Sequence, residues 1–152
     1  MEKNLSCSPA LDERLGEKSI LLLVASVILI NEKKEILLAQ RIGKNLSIMK
    51  DLWEFPGGKI EDGETPEAAL VRELKEELNI EVFPSCLCPM TFASYKYKEF
   101  HLLMPIFSCR KFNGEVIGNE GQEVRWVKVN ELKNYKMPPA NYNILGLISD
   151  LI

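Results

Sequence analysis

Residues 58–80 read Gly58-Lys-Ile-Glu-Asp-Gly-Glu64-Thr65-Pro66-Glu67-Ala-Ala-Leu70-Val71-Arg72-Glu73-Leu74-Lys-Glu76-Glu77-Leu78-Asn79-Ile80. Thr65 offers a hydroxyl at an N-cap, Pro66 a fixed φ at the first helical position and Glu67 an acid in the first turn. A periodic stretch then runs to Leu78, and Asn79, which tolerates the left-handed conformation, stops it. The predicted helix carries Glu73, Glu76 and Glu77 at i, i+3 and i+4, so three carboxylates share one face. Leu70, Val71, Leu74 and Leu78 cluster on another face. Like charges so close destabilise an isolated helix by a few tenths of a kcal/mol per pair, and hard oxygen donors in such a group suit Mg²⁺, Mn²⁺ or Ca²⁺. For the helix alone the competing reading is a solvated glutamate face.

Upstream, Ser19–Ile30 reads as a buried strand, Asn31 to Lys34 as a turn and Glu35–Arg41 as a second strand, together a hairpin. Ile42–Asp51 is polar and irregular, and Leu52-Trp-Glu-Phe55 runs into Pro56-Gly57-Gly58, where the backbone can take conformations closed to other residues. Downstream, a β-like pattern resumes at Ile80–Phe83, and strands are expected near Thr91–Tyr97, His101–Arg110 and Glu123–Val129. Pro138-Pro139 precedes a closing helix, about Asn141 to Leu151, with Ile144, Leu145, Leu147, Ile148 and Leu151 as its apolar stripe.

The 152 residues, 46% apolar and 27% charged, suit one soluble domain with a substantial core. We expect residues 1–18 to be a loosely ordered extension and residues 19–152 a single domain. Nineteen basic against 22 acidic residues, net −3, leave no electrostatic footprint for a long nucleic acid. An acidic protein that binds a polyanion must neutralise it locally, with placed Arg/Lys or with cations held by its own carboxylates. The cysteines, Cys7, Cys86, Cys88 and Cys109, form no CxxC pair, and one histidine, His101, is too little for a conventional zinc site. Cys86 and Cys88 straddle Leu87 on one expected strand face and receive no function. The apolar run Ile20–Ile30 is shorter than the ~20 residues of a membrane helix. Reduced thiols and a polar start without an apolar h-region make a cytoplasmic protein the expectation.

The string quoted above resembles the Nudix box: glycine, five residues, glutamate, seven residues, Arg-Glu, an apolar and any residue, Glu-Glu, any residue, glycine and an apolar residue. Gly58, Glu64, Arg72, Glu73, Leu74, Glu76, Glu77 and Ile80 match, and Asn79 replaces the last glycine. With six fixed polar or glycine positions at ~7% each, a chance match in one frame is on the order of 10⁻⁷. Leu52 to Glu67, the His101-Leu-Leu strand and Pro138-Pro-Ala-Asn141 are similar to the MutT branch of that family, the 8-oxo-dGTP diphosphatases. The resemblance covers roughly Ile20 to the C-terminus.

It implies an α+β Nudix fold, a mixed β-sheet sandwiched between helices, and cleavage of a nucleoside triphosphate to monophosphate and pyrophosphate. It further implies that Glu73, Glu76, Glu77, Glu120 and the Gly57 carbonyl hold Mg²⁺, with Mn²⁺ as a possible substitute. Glu73 orients or deprotonates water, Arg72 positions the carboxylates, and Glu64 supports the loop. Arg41, Phe55, Gly58, Lys59 and Asn141 fall on the substrate side. For several of these a plainer reading stays open. Glu120 can be an exposed loop acid, Arg41 an exposed strand end, Asn141 an N-cap of the last helix, and Phe55 and Phe100 core aromatics; His101 reads as structural. The expected partner is a nucleoside triphosphate, with no long nucleic acid and no membrane, and the expected state is a monomer. Nudix enzymes acting on ADP-ribose or dinucleoside polyphosphates share the box, and a non-catalytic nucleotide-sensing module is the reading from a different class.

Overall fold

A computed structural model describes residues 19–42 and 51–152. The expectations for residues 1–18 and for most of the irregular stretch before Asp51 fall outside the described residues. The order is β1 (Ile20–Leu29), β2 (Glu35–Gln40), β3 (Trp53–Glu54), β4 (Gly57–Lys59), α1 (Pro66–Leu78), β5 (Cys88–Lys96), β6 (Phe100–Cys109), β7 (Val124–Lys128), α2 (Pro139–Tyr142) and α3 (Leu145–Leu151). Four strands form a sheet in the order β4-β1-β6-β5, with β1 and β6 parallel and the other neighbours antiparallel. Three more, β3-β2-β7, form a second, antiparallel sheet. A parallel pair requires a long crossover, and α1 lies within it.

Side chains alternate across β1. Ala25, Val27 and Leu29 pack with Leu70, Leu74 and Leu78 of α1, whereas Ile28 packs on the other side with Met104, Ile106, Ala140, Ile144 and Ile148. The mixed sheet therefore lies between α1 and the C-terminal helices, the α+β arrangement expected. Val27, Ile28 and Leu29 are all fully buried, as in a strand covered on both faces.

Both edges of β1 are occupied, by β4 and β6, and this corrects the expected hairpin. β2 joins the other sheet, and the two strands share only the Ile30–Ile36 bridge. The turn itself forms: Asn31 Oδ1 accepts the Lys33 and Glu35 N–H groups at 3.0 and 2.9 Å. Residues 80–83 supply one bridge, Glu81–Asn113, instead of a strand. Cys86 ends the 3₁₀ turn Pro84–Cys86 and Cys88 opens β5, so they do not share a strand. The closing helix is broken between Tyr142 and Leu145. Of the expected apolar stripe, Ile144 and Ile148 are buried and Leu151 is 57% exposed.

Candidate active site

Helix α1 begins and ends as its sequence dictates. The Thr65 hydroxyl accepts the Ala68 N–H at 3.1 Å, and Asn79 turns left-handed at φ 59°. The Asn79 N–H then bonds to Lys75 O and the Ile80 N–H to Leu74 O, at 3.2 and 3.3 Å, a Schellman pattern that satisfies two terminal carbonyls. With Leu70, Leu74 and Leu78 fixing the buried stripe, Arg72, Glu73, Glu76 and Glu77 are turned away from the core.

Arg72 joins most of the predicted acidic set. Its Nε and Nη2 donate to Glu64 at 2.6 and 3.0 Å, a bidentate pair, while Nη1 donates to Glu73 at 2.8 Å and approaches Glu76 at 3.5 Å. Nη2 also reaches the Lys59 carbonyl at 3.1 Å. The Glu64 carboxylate in turn accepts the Glu61 N–H at 3.0 Å, closing a loop turned by Gly63 at φ +82°. Hydrogen bonds from Arg72 and from the Glu61 backbone hold Glu64 down at about 2, and the same bonds keep Arg72 firmly protonated.

Gly58 is a matter of space. A Cβ there would collide with the Glu73 carboxylate, so Glu73, 14% exposed, lies directly against the Gly58 backbone. Gly57 is pressed as closely against Ala25 and Ser26 of β1.

Glu77 is pushed the opposite way from Glu64, up to about 8, first by burial and then by the charges of Glu73, Glu120 and Glu54. Its place at the C-terminal end of α1, where the helix dipole disfavours anions, acts in the same sense. Glu120 comes near because its loop closes over that helix end. The Asn119 side chain donates to Glu76 O and that of Gln122 to Glu77 O, each at 3.0 Å, and the Asn119 N–H bonds to Glu77 O at 2.9 Å. Residues 119–122 thus complete the capping of α1.

Glu54, on β3, was missed by the sequence reading. Burial raises its proton affinity against the pull of Arg41, whose guanidinium lies 3.8 Å away. Tyr97 was also missed; its ring stacks on Phe100 at 4.9 Å and its hydroxyl lies 3.5 Å from the Ala140 N–H. Asn141, 5% exposed, sits inside α2, whose N-cap is Pro138, so the N-cap reading is corrected. Phe55, 3% exposed, packs in the core with Trp53 and Ala140. Lys59 is exposed, and His101 bonds Ser94 at 2.7 Å, away from the carboxylates.

Among the described residues no three acidic, histidine or cysteine side chains already converge as a metal-binding cluster. Glu73 is drawn to Arg72 and Glu76 points outward, 60% exposed. The donors are nevertheless of the kind a hard divalent cation takes, and the like-charge repulsion that adds to burial in keeping a proton on Glu77 is one such a cation would relieve.

The model of the NUDIX domain matches residues 21–147. The chain belongs to the NUDIX family. It is 35% identical over 128 residues to an 8-oxo-dGTP diphosphatase of Escherichia coli, covering 84% of this chain and 96% of that protein. To the nucleoside triphosphatase NudI of Salmonella newport it is 32% identical over 117 residues, 70% of this chain and 83% of that one. A solved MutT structure, from work on Aliivibrio salmonicida and Vibrio cholerae, superposes with a TM-score of 0.73 at 31% identity, covering 87% of this chain and 99% of that chain. No helix among the described residues is long and apolar enough to cross a membrane.

Proposed function

We propose that this NUDIX chain is a Mg²⁺-dependent nucleoside triphosphate pyrophosphohydrolase, with Mn²⁺ as a substitute, that converts 8-oxo-dGTP to 8-oxo-dGMP and pyrophosphate. It works as a cytoplasmic monomer on the nucleotide pool, with residues 19–152 as one domain and no long nucleic acid as partner. The observation that carries this reading is the Arg72 clamp, which fixes Glu64 and Glu73 beside the strained acid Glu77. The similarity to 8-oxo-dGTP diphosphatases supports the substrate.

Glu73, Glu76, Glu77, Glu120 and the Gly57 carbonyl would hold the cation, which screens the phosphates and acidifies water when bound. Water forms the new bond to phosphorus, the bridging oxygen leaves with pyrophosphate, and Glu73 orients the water and accepts its proton. Arg72 keeps Glu73 in register by holding its Oε1. Arg41 and Lys59 supply fixed positive charge for the phosphates, and the Gly58 backbone lets them approach closely. Asn141, whose amide can donate and accept at once, reads the purine edge beside the Tyr97–Phe100 stack.

The test is pyrophosphate release with Mg²⁺ from 8-oxo-dGTP, dGTP, ADP-ribose and a diadenosine polyphosphate, with Glu73→Gln as the control. We expect kcat/KM to be largest for 8-oxo-dGTP and Glu73→Gln to lower turnover roughly 10²–10⁴-fold with the fold intact. Preference for another substrate overturns the 8-oxo-dGTP assignment, and release from none of the four overturns catalysis in favour of a sensing module.

A further inference from the structure

Between the acidic end of α1 and Arg41 stands β3, whose two residues pair with β2 as Ala39–Glu54 and Gln40–Trp53. The Arg41 N–H on Leu52 O, at 2.8 Å, extends that ladder by one step. Alternation along the strands puts Ala39, Arg41 and Glu54 on one face and Gln40 and Trp53 on the other. Arg41 is thus the diagonal neighbour of Glu54, a spacing that long side chains bridge, and Ala39 beside them is too small to fill the gap. The guanidinium crosses it, with Nη1 3.8 Å from Glu54 Oε2. Of the two, Glu54 is the better anchored. Just after it Phe55 is buried, Pro56 O accepts the Val27 N–H at 2.9 Å, and Gly57 is pressed against Ala25. The Glu54 side chain is 35% exposed against 47% for Arg41. Its charge is also felt by Glu77 and by the Tyr97 hydroxyl, so it stands where the acidic end of α1, Arg41 and the aromatic stack meet.

We propose that Glu54 is a positioning residue for Arg41, holding its guanidinium so that nucleotide phosphates bound there arrive beside the carboxylates of α1. This rests on the phosphate role given to Arg41 above and adds the residue that fixes where its charge sits. An arginine that no carboxylate anchors samples many rotamers, and ordering it when a phosphate binds costs affinity. One already held presents its planar fork in a set direction. Glu54 touches no reacting atom in this arrangement and acts through Arg41. Glutamine would fill the same space and spare Glu77 part of its repulsion, but it holds a guanidinium less strongly than a carboxylate does.

Calorimetric titration with a non-cleavable, methylene-bridged dGTP analogue and Mg²⁺ tests the coupling without turnover, in the wild type, Glu54→Gln, Arg41→Ala and the double variant. We expect Arg41→Ala to weaken binding about tenfold or more and Glu54→Gln about threefold to fivefold, with the double variant no weaker than Arg41→Ala alone. In the steady state Glu54→Gln should raise KM by the same factor, with kcat and the Mg²⁺ requirement within about twofold of wild type. Its Tm should not fall, since the replacement is isosteric and removes a carboxylate that burial disfavours. Additive losses in the double variant, a Glu54→Gln protein that binds as the wild type does, or a wild type that does not bind the analogue, overturn the proposal. A raised Mg²⁺ requirement with KM unchanged overturns it in favour of a role on the cation side. Catalysis is read separately: a wild type that binds the analogue with the expected coupling yet releases no pyrophosphate overturns the hydrolase reading and upholds this one.

Discussion

The two ends of α1 treat one side chain in opposite ways. Before the helix, Glu64 faces Arg72 and the Glu61 N–H and is held ionised down to about 2. In the last turn, Glu77 is buried and, beyond that, faces Glu73, Glu120 and Glu54, and its proton is held up to about 8. The difference teaches that the NUDIX string is two devices spliced in one helix. One end is a neutralised scaffold that needs nothing further, and the other is a concentration of like charge that only a proton or a cation can settle.

Of the changes that test this contrast, breaking the scaffold end has the largest expected effect. Arg72→Lys keeps a charge but gives up the planar fork that serves Glu64 and Glu73 together. A shift of Glu73 by about 1 Å is enough to lower kcat/KM by on the order of 10²-fold, and steady-state rates alongside circular dichroism will separate that loss from unfolding.

Next comes the charged end, read through pH. Because the folded state raises Glu77, it binds more protons than the unfolded chain between about 4.5 and 8, and metal-free stability should fall as pH rises through that window. Glu64 is lowered, so its contribution is full above about 4.5 and is lost as pH falls toward 2. Thermal melts from pH 3 to 9 should therefore show a maximum on the acid side of neutrality. Glu77→Gln should flatten the alkaline limb only, and added Mg²⁺ should raise Tm most at high pH. An alkaline limb that Glu77→Gln leaves unchanged would refute this origin.

The smallest effect belongs to the helix stop. Asn79 adopts φ 59° at a position where the family pattern has glycine, so Asn79→Gly should raise Tm by no more than a few degrees and leave turnover unchanged. A tenfold change in activity would mean that the cap geometry sets the position of Glu77.

What was legible in the sequence follows from the range of the interactions involved. The span of α1, its Thr65 cap, its left-handed stop and its acidic face depend on neighbours within four residues, and the structure places them as read. Which strands pair is decided by competition for the edges of β1, so the expected β1–β2 hairpin gave way to β4 and β6. Glu54 escaped notice because its meaning lies in Arg41 and Glu77, which the fold brings to it from two other elements. Asn119 and Gln122 escaped for the same reason: nothing in Asn119-Glu-Gly-Gln122 announces that its partners are carbonyls 43 and 45 positions earlier.

That same capping loop orders events in time as well as in space. The carbonyls at the end of α1 have no partners from residues 119–122 until β6 is laid down and the chain has doubled back, a contact of long sequence separation and hence slow to close. A nascent chain can thus build its Thr65 cap and Arg72 clamp early, while the acidic pocket with Glu120 matures only as the C-terminal third arrives. A stalled or truncated polypeptide would carry the family's signature string and still lack the Asn119 and Gln122 bonds that finish the site.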